Sequence, residues 1–225
     1  MEISMKDLRE TKKRIALLIG GGSCVPWVCE ALDQKRMEIV FAISHKSQSP
    51  GLDELKERGV ETAHEPRLRF EKDGRGGEKE YFEMVRDCVL EPKPDLVLCL
   101  GWDLILPAFV LSAWHEQGIP TVNLHPALVS EDGTDVQTRF GKIPVIKGEV
   151  THVIAEVLAR KLPATGCSLH IIPPSGKVDE GRVIDERVVK VEEDDTEVSL
   201  RERERLSEKD LVQEFIRRYQ NTGEL

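Results

Sequence analysis

Asn123 and His125 stand two residues apart in Thr121-Val122-Asn123-Leu124-His125-Pro126. On a strand this spacing puts an amide and an imidazole on one face and turns Val122 and Leu124 into the opposite layer. An amide donor beside a titratable ring can stabilise a developing oxyanion while moving a proton. A strand-end histidine before proline is also a common structural residue, so the pair alone leaves catalysis open. A second group lies in Gly176-Lys177-Val178-Asp179-Glu180-Gly181-Arg182, where glycines flank two carboxylates. Such loops are usually solvated turns, but a carboxylate near His125 would raise its basicity and fix its orientation.

The third candidate is Gly20-Gly21-Gly22-Ser23, between a strand pattern and a helix pattern. Backbone N–H groups converging near a helix N-terminus suit a phosphate. The loop does not fit the nucleotide motifs. It lacks the Lys-Ser/Thr pair of a P-loop, Val25 sits where the dinucleotide fingerprint needs glycine, and Ser44-His45-Lys46 follows the second strand where an acid is expected. A small phosphorylated metabolite is one reading; a tight β-to-α turn with Ser23 as N-cap is the other.

Positioning these groups requires an alternating scaffold. Apolar runs at 14–19 and 95–100 and strand-like stretches at 38–44, 60–64 and 121–124 predict strands, and helical spacing at 26–32, 51–58, 78–90 and 107–114 predicts the helices between them. Residues 95–100 are apolar from Leu96 onward, as in the middle of a parallel sheet. Residues 67–77 are charged and glycine-bearing and predict a mobile loop. Residues 130–142 form a polar stretch too long for a simple connection, a lid or a surface excursion. A helix at 150–160, strands at 167–172 and 183–191, and a long charged helix at 200–219 complete the chain. The inner stripe of the last helix is predicted as Leu200, Leu206, Leu211, Phe215 and Ile216.

The expected fold is therefore α/β: a Rossmann-like, mostly parallel sheet with helices on both faces. The 225 residues suit a charged extension over 1–13 and one domain over 14–220. With 32 basic against 41 acidic residues the net charge is -9, which argues against a general affinity for nucleic acid. The five cysteines, at 24, 29, 88, 99 and 167, are odd in number and scattered in apolar runs, and read as reduced core residues. No Cys-x-x-Cys or His-x-x-x-His spacing suggests a metal. The charged N-terminus and the lack of a span-length apolar run predict a soluble cytoplasmic protein without a membrane partner. Oligomeric state is not legible.

Asn123-Leu124-His125-Pro126-Ala127-Leu128, then Thr165-Gly166-Cys167-Ser168-Leu169-His170, then Val178-Asp179-Glu180-Gly181-Arg182-Val183-Ile184 occur in the order that marks the folate-dependent formyltransferases. The chain resembles that family from about Arg14 to the last helix, most closely its members acting on glycinamide ribonucleotide. The likeness also takes in the glycine loop, Ser44-His45-Lys46 followed by Gly51-Leu52, and Gly101-Trp102-Asp103-Leu104-Ile105-Leu106-Pro107.

The resemblance implies the formyltransferase fold and transfer of a formyl group to the ribonucleotide amine in purine synthesis. The cosubstrate would be 10-formyltetrahydrofolate, and no metal is implied. Asn123, His125 and Asp179 would be the catalytic set, with His170 a neighbour on the adjacent strand. Gly21, Gly22 and Ser23, with Cys24 beside them, would receive the phosphate, and Glu208 the ribose hydroxyls. Arg205, standing where a glutamine is common, would either add charge for the phosphate or be a solvated helix residue. The pterin would lie against Trp102, Asp103, Leu104, Ile105 and Leu106 and the loop 172–179.

Three departures from the family pattern are Cys24 for an asparagine, Leu104 for an arginine, and a longer segment 129–148. Leu104-Ile105-Leu106-Pro107 is similar to the tRNA-directed members. Alternatives are formylation of another amine, on a sugar nucleotide or methionyl-tRNA, or a noncatalytic ligand-binding relative. The acidic charge and a chain ending soon after Tyr219, without an RNA-binding domain, disfavour the tRNA substrate.

Overall fold

The structure, a computed structural model, describes residues 12–148, 150–177 and 179–225. The expected extension therefore lies almost wholly outside the described residues. In chain order the elements are β1 (Lys13–Ile19), α1 (Val25–Ala31), β2 (Met37–Ser44), α2 (Pro50–Glu57), β3 (Thr62–His64), α3 (Arg67–Lys72), α4 (Glu78–Leu90), β4 (Leu96–Leu100), α5 (Ala108–Glu116), β5 (Thr121–His125), β6 (Val136–Thr138), β7 (Gly141–Ile143), α6 (Val150–Ala159), β8 (Ala164–Ile171), β9 (Val183–Lys190) and α7 (Glu197–Thr222). Seven strands form one sheet in the order β3-β2-β1-β4-β5-β8-β9. The first five pair in parallel, whereas β8 and β9 return antiparallel.

β4, and β1 from Ile15 onward, are apolar throughout because both of their faces are covered. Ile15, Leu17 and Ile19, with Leu96, Leu98 and Leu100, pack against Val25, Val28, Leu211 and Phe215 of α1 and α7. Ala16, Leu18, Val97 and Cys99 point the other way, to Val85 and Val89 of α4 and Trp114 of α5. The period of two along each strand thus feeds two separate cores. All five cysteines are free. Among the described residues no helix is long and apolar enough to cross a membrane.

Two expectations change and one alternative is resolved. Residues 67–77 are not simply a loop: α3 forms there around Phe70, which is buried and packs edge-on to Tyr81 with ring centroids 5.4 Å apart. Arg75 covers the other side of the Phe70 ring, 4.4 Å from its centroid. One aromatic anchor among charges is too weak a periodic signal to announce a helix.

The 130–142 stretch is a surface excursion ending in the β6–β7 hairpin, with Val136 opposite Ile143. Val136 and Phe140 close over Leu128 and Ala164.

In α7, Leu206 is exposed and does not join the inner stripe. At about 100° per residue it lies roughly 120° around the helix from Leu200, while positions 204 and 208 fall within about 80° of it. Two glutamates therefore hold buried places. The helix starts at the N-cap Thr196, whose side chain accepts from Ser199 N at 3.2 Å, and stops at Gly223 with φ +69°.

Candidate active site

The carboxyl ends of β1 and β4 diverge where the strand order reverses, the place where open α/β sheets form a crevice. Its floor is glycine. A Cβ on Gly20 would lie 2.4 Å from the Gly101 carbonyl oxygen, and one on Gly22, at φ +80°, would lie 2.6 Å from Gly51 Cα. Only backbones without side chains approach so closely. Ser44 and Ser49 hydroxyls donate to the Gly20 carbonyl at 2.8 and 2.9 Å, and Gly51 N donates to Gly21 O at 3.2 Å. Gly22 is buried, while Gly21 and Ser23 face solvent. The N-cap of α1 is Cys24, not Ser23 as the tight-turn reading had it, and no side chain caps the helix. The turn closes with Val25 N donating to Gly22 O at 3.0 Å, one residue later than the sequence suggests.

Beyond Gly101 a cavity of about 470 Å³ is lined by Asn123, His125, His170 and Asp179, and by Trp102, Asp103, Leu104, Ile105 and Leu106. Antiparallel pairing sets Asn123 directly opposite His170. Asn123 Nδ2 donates to His170 Nε2 at 3.2 Å, an arrangement that suits a neutral ring. Burial, helped by the neighbouring His125, holds His170 below the ordinary histidine value. With one amide N–H engaged this way, Asn123 retains another to offer into the cavity.

His125 is buried, and its Nδ1 lies 3.2 Å from Asp179 Oδ1. The Ile146 carbonyl sits 3.2 Å from its Nε2. Asp179 takes a left-handed conformation, φ +54°, which aspartate tolerates better than most residues. Fifty-four positions separate the acid from the imidazole in sequence. The loop after β8 closes that gap, and Gly181 allows it by lying against the Ile171 carbonyl, where a Cβ would come within 2.2 Å. Asn123 and His125 of β5 thus face the cavity, while Val122 and Leu124 pack into the opposite core.

One cluster escapes sequence reasoning. His45 Nε2 and Lys46 Nζ both pair with the Asp103 carboxylate, and the His45 ring stands edge-on to Trp102, centroids 4.5 Å apart. Burial pushes His45 down, against the opposing pull of Asp103. Against the upward push of its own burial, Asp103 is drawn below the ordinary carboxyl range by Lys46 and His45. The available signal was topological: β2 and β4 flank β1, so the residues ending them flank the same glycine loop.

On the other side of that loop, α7 packs against α1. Glu208 is buried, and both its oxygens bond Arg201, at 2.6 and 3.1 Å. Glu204 is buried beside it and accepts from Thr165 Oγ1 at 2.7 Å. Arg205 is exposed, its guanidinium 5.9 Å from the centroid of the Trp27 ring. The Cys24 thiol feels Glu208, Arg201 and Arg205 electrostatically, and burial first, then Glu208, pushes it up to about 12. Cys24, at the end of the glycine loop, and the helix residues 205 and 208 therefore lie together, and Arg201, which sequence reasoning passed over, stands with them. The i to i+7 spacing of Arg201 and Glu208, two turns on one helix face, was its signal.

The formyl transferase family matches the chain over residues 13–216. The phosphoribosylglycinamide formyltransferase of Saccharomyces cerevisiae is 29% identical over 179 residues, covering 71% of this chain and 83% of its own. That of Schizosaccharomyces pombe is 25% identical over 177 residues, covering 76% and 78%. Among solved structures, the phosphoribosylglycinamide formyltransferase of Bacillus halodurans superposes with a TM-score of 0.75 at 19% identity, over 94% of this chain and 97% of that one. The Brucella melitensis structure gives a TM-score of 0.73 at 21% identity, over 96% and 98%. At those identities the structural likeness speaks for the fold.

Proposed function

The chain belongs to the formyl transferase family, and on that premise we propose that it moves a formyl group from 10-formyltetrahydrofolate to the amine of glycinamide ribonucleotide. The activity is assigned to one domain over residues 14–220. The observation that carries the reading is the meeting of Asn123, His125 and Asp179, with His125 Nδ1 3.2 Å from the acid, at the wall of a cavity large enough for a pterin.

Attack of the acceptor amine on the formyl carbon produces a tetrahedral oxyanion. The free N–H of Asn123 is one donor for that oxygen and the His125 Nε2–H the other once it turns from the Ile146 carbonyl, 3.2 Å away, to the substrate; His170 and Asp179 fix the two side chains before reaction. Asp179 holds the ring's orientation, balances charge on it and helps carry the proton from the amine nitrogen to N10 of the folate, as the intermediate collapses, the bond from the formyl carbon to N10 breaks and tetrahydrofolate leaves. Direct attack needs no covalent enzyme intermediate. The pterin is assigned to the strip from Trp102 to Leu106 and the loop around Gly176. The phosphate is assigned to the backbone of Gly21, Gly22 and Ser23 beside Cys24 and Arg205, and the ribose hydroxyls to Glu208.

The test combines purified protein, 10-formyltetrahydrofolate and glycinamide ribonucleotide, following the folate absorbance and the formylated product together. Acceptor-dependent turnover with one product per folate released is expected. Folate release without a formylated product would instead mark a hydrolase, and no turnover with this acceptor would overturn the assignment.

A further inference from the structure

Along one face of α7, Arg201, Glu204 and Glu208 follow one another at spacings of three and four residues, and the face lies against α1 and β8. Glu204 and Glu208 are buried there, and Arg201 is the cation in contact with both. Its sharing is unequal. Two nitrogens of the guanidinium hold the two Glu208 oxygens at 2.6 and 3.1 Å, whereas the nearest Glu204 oxygen is 3.8 Å away. The other Glu204 oxygen is occupied by the Thr165 hydroxyl. Burial accordingly leaves Glu204 the easily protonated member, pushed up to about 8, and commits the guanidinium to Glu208.

A fork-on-fork pair fixes a carboxylate in both position and plane. Without it the Glu208 side chain would keep its place in the helix but lose its aim. From this we infer that Arg201 is a positioning residue for acceptor binding: it clamps Glu208 so that the remaining lone pairs of the carboxylate face the hydroxyls of a phosphorylated, diol-bearing acceptor seated on the glycine loop. The inference rests on the reading of Glu208 as an acceptor contact. It adds a residue the resemblance does not supply, because the clamp is read from this chain's own Arg201 geometry.

The experiment measures steady-state kinetics of Arg201→Met, Arg201→Lys, Glu208→Gln and the double variant Arg201→Met/Glu208→Gln, with glycinamide ribonucleotide and 10-formyltetrahydrofolate each varied in turn. Arg201→Met should raise the acceptor KM about tenfold, as the loss of a charge-assisted pair predicts. The folate KM and the kcat at saturating acceptor should stay within about twofold. Arg201→Lys, a point charge without the fork, should fall between Met and the parent. The double variant should be no worse than Glu208→Gln alone, because the arginine acts only through that carboxylate.

A helix that is merely loosened would instead shift both KM values and kcat together, and lysine would not rescue the acceptor KM selectively; that pattern overturns the inference. It is likewise overturned if Glu208→Gln raises the acceptor KM and Arg201→Met does not. If Glu208→Gln itself leaves the acceptor KM unmoved, the assignment of Glu208 to the acceptor fails, and the clamp falls with it. Should Arg201→Met fail to fold, Arg201→Lys against Glu208→Gln decides by the same comparison.

Discussion

Replacing Glu204 by glutamine should stabilise the protein at neutral and alkaline pH. The carboxyl sits in the core, with one oxygen bonded to Thr165 and the other 3.8 Å from Arg201. Desolvation, partly offset by the Thr165 bond, pushes its pKa from 4.5 up to about 8. A carboxyl whose folded value is raised binds its proton more tightly in the native state than in the unfolded chain. Stability from this group is therefore complete below the unfolded value, falls as pH rises toward 8, and is flat above it.

Each pH unit in that window costs about 1.4 kcal/mol, so Glu204 forfeits roughly 3 kcal/mol at pH 7 and roughly 5 at pH 9, the same window applied in full. Glutamine keeps the acceptor oxygen for Thr165 and carries no charge to bury. Urea unfolding of parent and variant at pH 5, 6, 7, 8 and 9 should give a stability gap that is small at pH 5, widens steadily to pH 8 and then levels. A gap that does not change with pH, or a variant weaker than the parent at pH 8, would refute the placement of a protonated acid in this core.

Other outcomes follow from the same geometry. His125→Ala should lower turnover by about two orders of magnitude or more with an unchanged circular dichroism spectrum; near-normal turnover would remove His125 from the chemistry. Gly21 has open space around a would-be Cβ, whereas Gly22 is at φ +80° and 2.6 Å from Gly51. Gly21→Val should thus raise the acceptor KM far more than the folate KM while leaving the melting temperature near the parent's. Gly22→Val should instead depress the melting temperature by several degrees, and a scan showing the reverse order would contradict the close approach. Phe70→Ala should cost about 3 kcal/mol in denaturant unfolding, because the ring anchors α3; a loss under about 1 kcal/mol would mean α3 contributes little to the core.

The parallel half of the sheet was readable because β1, β2, β4 and β5 are short apolar runs, each punctuated by a glycine or a helix start. Asn123 and His125 were readable as a pair because a strand's period of two is rigid. Their partner was another matter: Asp179 reaches His125 only through the antiparallel return of β8 and the turn at Gly181, which spacing does not encode, and the family motifs supplied the link. The 67–77 segment hid a helix because its one burying residue, Phe70, has no periodic companion. Leu206 was drawn into the inner stripe because apolar identity was given more weight than angle, and the places it seemed to fill belong to Glu204 and Glu208. The His45–Asp103 and Arg201–Glu208 pairs share a cause. Charged residues read singly look solvated, and only a partner brought close by the fold makes burial tolerable.

The contacts Gly20 on Gly101 and Gly22 on Gly51 join three chain segments into a single rigid seat built from peptide groups. Apart from the Ser44 and Ser49 hydroxyls that hold the Gly20 carbonyl, its contour is set by backbone, so the chain is at liberty to carry Cys24, His45, Asp103 and Leu104 at the margin without moving the platform they surround. Divergence among relatives can then retune who is welcomed at the edge while the anchorage beneath stays put, and a glycine lost from either contact could not be answered by its opposite number, which has no side chain left to give up.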